Sequence, residues 1–480
     1  MFENKLHEEC GVFGIFSNDK EIDVARLTYI ALYSLQHRGQ ESCGITVNDD
    51  GVMNTYRDIG LVSEVFTKEK LESLNHGNIA IGHVRYSTPD ASARRNAQPI
   101  QINHIKGSMS IAHNGNIINV AQLRNELEQE GLIFHSTSDT EIIAYLIARS
   151  RLRTKSIEES VAEALPKLEG AFSLVMTSPQ KMIAARDPRG FKPLCIGMLD
   201  NSYIISSESC AINAVGGKFI RDVEAGEIVV IDKDGIRSIP KYCNTQKESL
   251  CVFEYIYFAR SDSDICGTSV HTARKRLGAL LAEEHPIEAD VVIGVPDSGI
   301  DAAIGYAEKS GIPYGIGLIK NKYIGRTFIQ PEQKTREDTV RIKLNAVSST
   351  VKGKRVIMVD DSIVRGTTSA RIVKILKEAG ATEVHMRSSA PPFLYPCYFG
   401  TDIDSQDKLI ACNYTMDEIK NMIGADTLGY LEIKDLPNIL DINKDKICKA
   451  CFDGVYPCDV SKVTDENKFK SKYAKKISEA

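Results

Sequence analysis

The stretch KRVIMVDDSIVRGTTSARIVKILKEAG, residues 354–380, restricts the fold more than any other part of this chain. An apolar run too short for a helix ends in the paired carboxylates of Asp360 and Asp361. A short loop with Arg365 and Gly366 leads to the hydroxyls of Thr367, Thr368 and Ser369, and helical spacing then runs to a stop at Gly380. ADVVIGVPDSG followed by IDAAIGYAEKSG, residues 289–311, has the same order of apolar run, polar loop and helical spacing. Successive strand–loop–helix units pair as parallel strands, because a parallel connection needs a crossover. An α/β unit with a parallel sheet is therefore expected in the second half.

Chemistry is expected at the loop after the first of these strands. In an open parallel sheet, ligands sit beyond the carboxyl ends of the strands. A glycine lets the backbone approach a ligand, and unbonded N–H groups at a helix start attract phosphate. Two adjacent carboxylates beside such a cradle suit ribose hydroxyls and a magnesium ion. The plainer alternative is a solvated loop with an aspartate cap. The long basic segment IKNKYIGRTFIQPEQKTRE, residues 319–337, has the equally plain reading of a solvated surface loop.

VIMVDDSIVRGTTS resembles the 5-phosphoribosyl 1-pyrophosphate (PRPP) motif of the type I phosphoribosyltransferase family. The resemblance implies that Arg365, Gly366, Thr367, Thr368 and Ser369 hold the 5-phosphate. Asp360 and Asp361 would then face the ribose and Mg²⁺, with Ser298 of GVPDSG near the metal and pyrophosphate. It also implies that Lys322, Tyr323 and Arg326 lie on a loop that closes over PRPP.

The first half has another rhythm. CGVFGIF is a short apolar run suited to a buried strand. DVARLTYIALYSLQHRG has helical spacing up to Gly39, and SDTEIIAYLIARS reads as a helix capped by Ser138 or Asp139. SMSIAHNGNI reads as a strand running into an Asn-Gly turn. GAFSLVMTSPQKMIAARD and EIVVIDKDGIRSI read as hairpins, the second turning at Asp234-Gly235. Many strands with few helices between them suggest a layered α+β domain to about residue 240. The polar stretch 240–249 reads as a linker.

Cys10 stands after the short leader MFENKLHEE. A thiol near pKa ~8.5 needs a base to become a nucleophile. His37, His83 and His113 could serve, although no local signature pairs one of them with Cys10. The other base is the cysteine's own α-amine, which is free only after cleavage between Glu9 and Cys10. Downstream lie the remaining parts of an amide-cleaving site. Asn114 and Gly115 could stabilise an oxyanion, Arg85 a carboxylate and Asp139 an ammonium. Singly, each has a structural explanation: a turn, an ion pair, a helix cap, a buried thiol.

Taken in order, CGVFGI, LQHRGQES, GHVRYST, AHNGNI and TSDTE resemble the N-terminal-nucleophile glutamine amidotransferase family. Joined to the PRPP motif, they resemble the amidophosphoribosyltransferase family over most of the chain. The resemblance implies a propeptide of residues 1–9, a layered αββα glutaminase domain over 10–240 and a phosphoribosyltransferase domain over 250–480. It implies Cys10 as nucleophile, Arg85 and Asp139 as glutamine clamps, and Asn114 and Gly115 as the oxyanion hole. Ammonia from glutamine would attack C1 of PRPP, giving phosphoribosylamine and pyrophosphate in purine synthesis. A homotetramer inhibited by the purine nucleotides AMP, GMP and ADP is also implied.

Twelve cysteines in a chain without a secretory signal do not suggest a disulfide framework. CKAC, residues 448–451, has metal-ligand spacing; by itself it leaves zinc, an iron–sulfur cluster or two surface thiols open. In the cluster-bearing, Bacillus-type members of the family, single cysteines precede EYIYF and lie inside a PCxxG segment. That likeness nominates Cys251, Cys397, Cys448 and Cys451 for one 4Fe–4S cluster, with Cys412 and Cys458 as non-ligands. Cys43, Cys195 and Cys210 are simplest as core residues. A net charge of −5 argues against a broad nucleic-acid-binding face. No run approaches the roughly 20 apolar residues of a membrane span, so a cytoplasmic protein is expected.

Overall fold

The structure is a computed structural model that describes residues 10–74, 76–86, 93–321, 344–401, 403, 405–441, 445–461 and 463. The leader 1–9 and Lys322, Tyr323 and Arg326 lie outside the described residues.

The apolar run after Cys10 forms the strand Gly11–Phe16, at the centre of a seven-stranded antiparallel sheet. It pairs with Ile79–Arg85 on one side and Ser202–Ser206 on the other. Residues along a strand alternate between faces, and this strand is buried on both. Phe13 and Ile15 pack under helices Val24–Ser34 and Ser209–Ala214. Val12 and Phe16 face a second, six-stranded sheet through a layer containing Val175, Met182 and Val229. The outer face of that sheet is covered by helices Val120–Gln129, Asp139–Arg151 and Ile157–Ala164. The result is the expected αββα sandwich.

In the second half, strands Val291–Gly294, Arg355–Asp360, Glu383–Ser388 and Thr427–Tyr430 form a parallel sheet in that order. Ile357 and Val359 pack toward helices Val270–Glu284 and Gly299–Ser310. Val356 and Met358 pack toward helices Thr367–Glu378 and Met416–Ile423. This strand is thus apolar from Val356 to Val359 because both of its faces are covered.

Three local expectations need correction. The helix expected to reach Gly39 ends at Ser34. Tight turns follow, with Arg38 N–H donating to Leu35 O and Gly39 N–H to Gln36 O, and they carry Arg38 into the interior. The second hairpin pairs Asp232 with Gly235, so Lys233 and Asp234 make the turn. Asn114-Gly115 is not a turn, because strand Met109–Ile117 continues through it, pairing Asn114 with Ser173 and Gly115 with Phe172. Gly115 accommodates the strand's local twist at φ +142, where an L side chain is strained.

The two halves meet around Arg38, which is fully buried. Its Nε donates to the carbonyl of Cys10 at 3.0 Å. Its other nitrogens bind Glu254 at 2.7 and 2.9 Å and Glu208 at 2.6 Å. Glu208 also accepts from His37, from the amide of Arg260 and from the Ser263 hydroxyl. Burial raises the Glu208 carboxyl, but the positive charges of His37 and Arg38 outweigh it and hold the group well below its ordinary value. Breaking one side of a buried ion cluster strands the other. Arg38→Met should therefore lower stability by about 3–5 kcal/mol in urea unfolding, and Glu254→Gln, which retains a hydrogen-bonding partner, should cost less.

Candidate active sites

Cys10 sits at the mouth of the central strand, half-buried, its Sγ directed at Tyr86 O at 4.0 Å. The amide of the second strand residue, Val12, donates to the Ser207 hydroxyl at 2.9 Å. On the facing six-stranded sheet, Asn114 is almost wholly buried, and its side-chain nitrogen has no hydrogen-bond partner. A buried donor without an acceptor is costly, so it is kept where an acceptor arrives with a ligand. Gly115 follows, and a Cβ there would stand 2.1 Å from Ala171 O.

Arg85 ends strand Ile79–Arg85 and pairs with Glu41 at 2.9 Å. Asp139 begins helix Asp139–Arg151, which Ser138 caps. Its carboxylate meets the His113 ring at 3.3 Å and accepts from Ile117 N–H at 3.2 Å. Burial opposes ionisation of Asp139, yet the His113 ring and the Ile117 and Thr140 amides prevail and lower its pKa.

The three histidines considered as bases have other engagements. His83 bonds His113 O at 3.0 Å, and burial lowers its pKa to about 3. His37 is on Glu208 and His113 on Asp139.

At the second site, Asp360 ends its strand and Asp361 follows, both buried. Asp361 N–H donates to Asp360 Oδ1 at 2.9 Å, and the Ser298 hydroxyl donates to Asp361. Three hard oxygen donors from two neighbouring loops suit a divalent cation such as Mg²⁺. Gly366, at φ +76, caps helix Thr367–Glu378 without a side-chain bond to its first turn. That leaves the amides from Thr367 onward without a capping side chain, as an anion site requires. Lys320 pairs with Asp297 at 2.6 Å on the neighbouring loop.

The four nominated cysteines converge although they come from three distant segments. Cys251 and Cys448 are paired residues in a two-stranded parallel ladder, Leu250–Cys251 with Ile447–Cys448. The Cys451 carbonyl accepts from the amides of Leu394 and Tyr395, and Cys397 Sγ accepts from Phe399 N–H at 3.4 Å. Burial raises the Cys451 thiol far above its ordinary pKa, and the nearby Cys397, Cys251 and Cys448 raise it further. Such crowding of thiols fits a group that binds them as thiolates. No three His, Cys, Asp or Glu side chains among the described residues are gathered to hold one metal ion. Cys412 is exposed and bonds Leu394 O, and Cys458 lies beside Arg189 and Asp187.

LQHRGQES and EYIYF carry no local sign of the partnership of Arg38 with Glu254, and nothing in AHNGNI marks His113 as the partner of Asp139. A charged residue flanked by apolar ones was the available signal for Glu254; its partner lies 216 positions away.

These arrangements define a two-site enzyme, a glutamine amidotransferase joined to a phosphoribosyl transferase. Residues 83–214 match the glutamine amidotransferase domain family and residues 271–392 the phosphoribosyl transferase domain family. Amidophosphoribosyltransferase of Bacillus subtilis is 48% identical over 460 residues, 95% of each chain. That of Archaeoglobus fulgidus is 50% identical over 453 residues, covering 94% of this chain and 98% of the relative. The solved glutamine PRPP amidotransferase of B. subtilis, complexed with ADP and GMP, superposes with a TM-score of 0.87 at 47% identity, covering 94% of this chain and 98% of that one. The chain belongs to the amidophosphoribosyltransferase family. Its reaction moves the amide nitrogen of glutamine to C1 of PRPP in purine synthesis, releasing glutamate and pyrophosphate.

Burial raises the thiol pKa of Cys43 to about 12 and those of Cys195 and Cys210 well above normal. Brief iodoacetamide treatment of the native protein at pH 8 should leave these three unlabelled while the exposed Cys412 is marked, as read by peptide mass mapping.

Proposed function

We propose that Cys10 is the nucleophile and that it becomes residue one after loss of residues 1–9. Residues 10–240 are then the glutaminase domain and 250–480 the phosphoribosyltransferase domain. The observation that carries this reading is the unpartnered, buried amide nitrogen of Asn114, together with strand-borne Gly115. In the reaction, the α-amine of Cys10 takes the thiol proton, and the thiolate attacks the glutamine side-chain carbonyl. The Asn114 amide and the Gly115 N–H stabilise the resulting oxyanion. Collapse gives a thioester and ammonia, which receives the proton from the amine; water then releases glutamate and regenerates the thiol. Arg85 binds the glutamine carboxylate and Asp139 its ammonium; the depressed pKa of Asp139 keeps it anionic for this task.

Ammonia passes inside the protein to C1 of PRPP and displaces pyrophosphate. Gly366, Thr367, Thr368 and Ser369, with Arg365, hold the 5-phosphate, while Asp360 and Asp361 orient the ribose. Lys322, Tyr323 and Arg326, outside the described residues, bind PRPP. Ser298, Asp360 and Asp361 would hold Mg²⁺, which would neutralise charge on the pyrophosphate. Cys251, Cys397, Cys448 and Cys451 would hold one 4Fe–4S cluster; since neither half-reaction transfers electrons, its role would be structural. The family resemblance supports a cytoplasmic homotetramer. The family resemblance supports inhibition by AMP, GMP and ADP, and the B. subtilis relative solved in complex with ADP and GMP supports a nucleotide site for the last two. No helix among the described residues is long and apolar enough to cross a membrane.

The active protein should begin at Cys10 on N-terminal sequencing. Cys10→Ala should lose glutamine-dependent synthesis by about 1,000-fold or more while retaining synthesis from added ammonia. An intact Met1 in fully active enzyme, or loss of both activities in folded Cys10→Ala, would refute this assignment. Anaerobic purification should yield about four iron and four acid-labile sulfide per chain, and iron removal should lower the melting temperature. Zinc instead of iron, or unchanged melting, would count against the cluster.

A further inference from the structure

We propose that the loop Tyr398–Gly400, from the second half of the chain, is a buttress that sets the oxyanion glycine of the glutaminase site. The inference rests on the reading of Asn114 and Gly115 given above.

Gly115 stands at φ +142, between Asn114 and Asn116 on one strand. It cannot be held by a side chain of its own, because a Cβ would overlap Ala171 O. Its position therefore depends on what packs against the backbone from outside. Sheet pairing to Phe172 supports one side. Gly400 lies against another, and a Cβ added to Gly400 would stand 3.3 Å from the carbonyl carbon of Gly115 and 3.4 Å from its Cα. The next strand residue, Asn116, donates its side-chain N–H to the carbonyl of Tyr398 at 3.0 Å. Between these contacts, Phe399 stacks on Phe191 at 4.3 Å and 16°. Both rings belong to a buried cluster with Ile118 and Ala171, which flank the same strand crossing, and with Cys448 and Ala450.

Tyr398, Phe399 and Gly400 therefore grip residues 115–118 at three points across a boundary of 282 sequence positions. They touch no reacting atom in this scheme and are positioning residues. An N–H shifted by a fraction of an ångström binds a transition-state oxyanion less well, while ground-state glutamine, clamped by Arg85 and Asp139, is little affected. The loop starts at Cys397, whose sulfur is bonded to Phe399 N–H. Whatever anchors Cys397 thus steadies the oxyanion strand too.

Gly400→Ala in the full, processed chain tests the proposal, because at φ +110 the new methyl is strained and sits tightly against the Gly115 backbone and the flexible Lys192 side chain. The kcat for glutamine-dependent synthesis should fall about tenfold or more, with KM for glutamine changed less than about twofold and the ammonia-dependent rate unchanged. Asn116→Asp, which keeps the shape but cannot donate to Tyr398, should show the same split; it carries the test if Gly400→Ala does not fold. An unchanged glutamine kcat, or a parallel fall in both reactions, overturns the buttress. Normal glutamine kinetics in Gly400→Ala beside a dead Cys10→Ala would reject this inference alone. Glutamine use surviving in Cys10→Ala would instead reject the glutaminase reading beneath it.

Discussion

One guanidinium, that of Arg38, is the point on which the two halves of this chain depend. It reaches the carbonyl of Cys10, the carboxylate of Glu208 in the first half and that of Glu254 at the start of the second. A buried charge is tolerable only when its partners and geometry are complete. Completing this set requires the strand start, a helix N-terminus and the segment Glu254–Phe258 to be in place together. The cost of any misfit couples the position of the nucleophile to the docking of the second half. Nothing comparable would follow from an apolar contact, which tolerates sliding.

The two sites share an architectural logic. Each lies where a buried strand ends: Cys10 at the entry to Gly11–Phe16, Asp360 and Asp361 at the exit of Arg355–Asp360. The strands are covered on both faces, so their ends are the places where backbone and polar side chains can face a ligand without disturbing the core. The supporting groups come from neighbouring strands and loops: Asn114 and Gly115 beside Cys10, Ser298 beside Asp361. A third junction, the loop after Cys397 against Asn116, lies on the same boundary between the halves.

The cysteines have divergent fates. Cys43, Cys195 and Cys210 pack as small apolar groups, and their raised pKa values follow from that burial. Cys251, Cys448 and Cys451 are also buried or nearly so, yet they lie close enough to one another and to Cys397 to raise the Cys451 pKa. Burial alone does not separate the two groups; proximity to other thiols does, and proximity is a property of the fold.

The parallel sheet, the two-sided burial of CGVFGIF and the paired carboxylates before a helix were legible in the chain, because strand period, turn residues and loop chemistry are local. So was the motif order that resembles the glutaminase family. Local signals also misled: Asn114-Gly115 resembles a turn, yet pairing with Ser173 and Phe172 keeps it in the strand. The helix after Asp23 ends at Ser34 although helical spacing continues to Gly39, because Arg38 turns inward to Glu208 and Glu254. The partnership of Arg38 with Glu254, the seat of His113 on Asp139, the convergence of four thiols and the contact of Gly400 with Gly115 have no trace in spacing. They join residues brought close only by chain folding, and the energy of a buried charge or a close backbone contact depends on three-dimensional distance rather than on order along the chain.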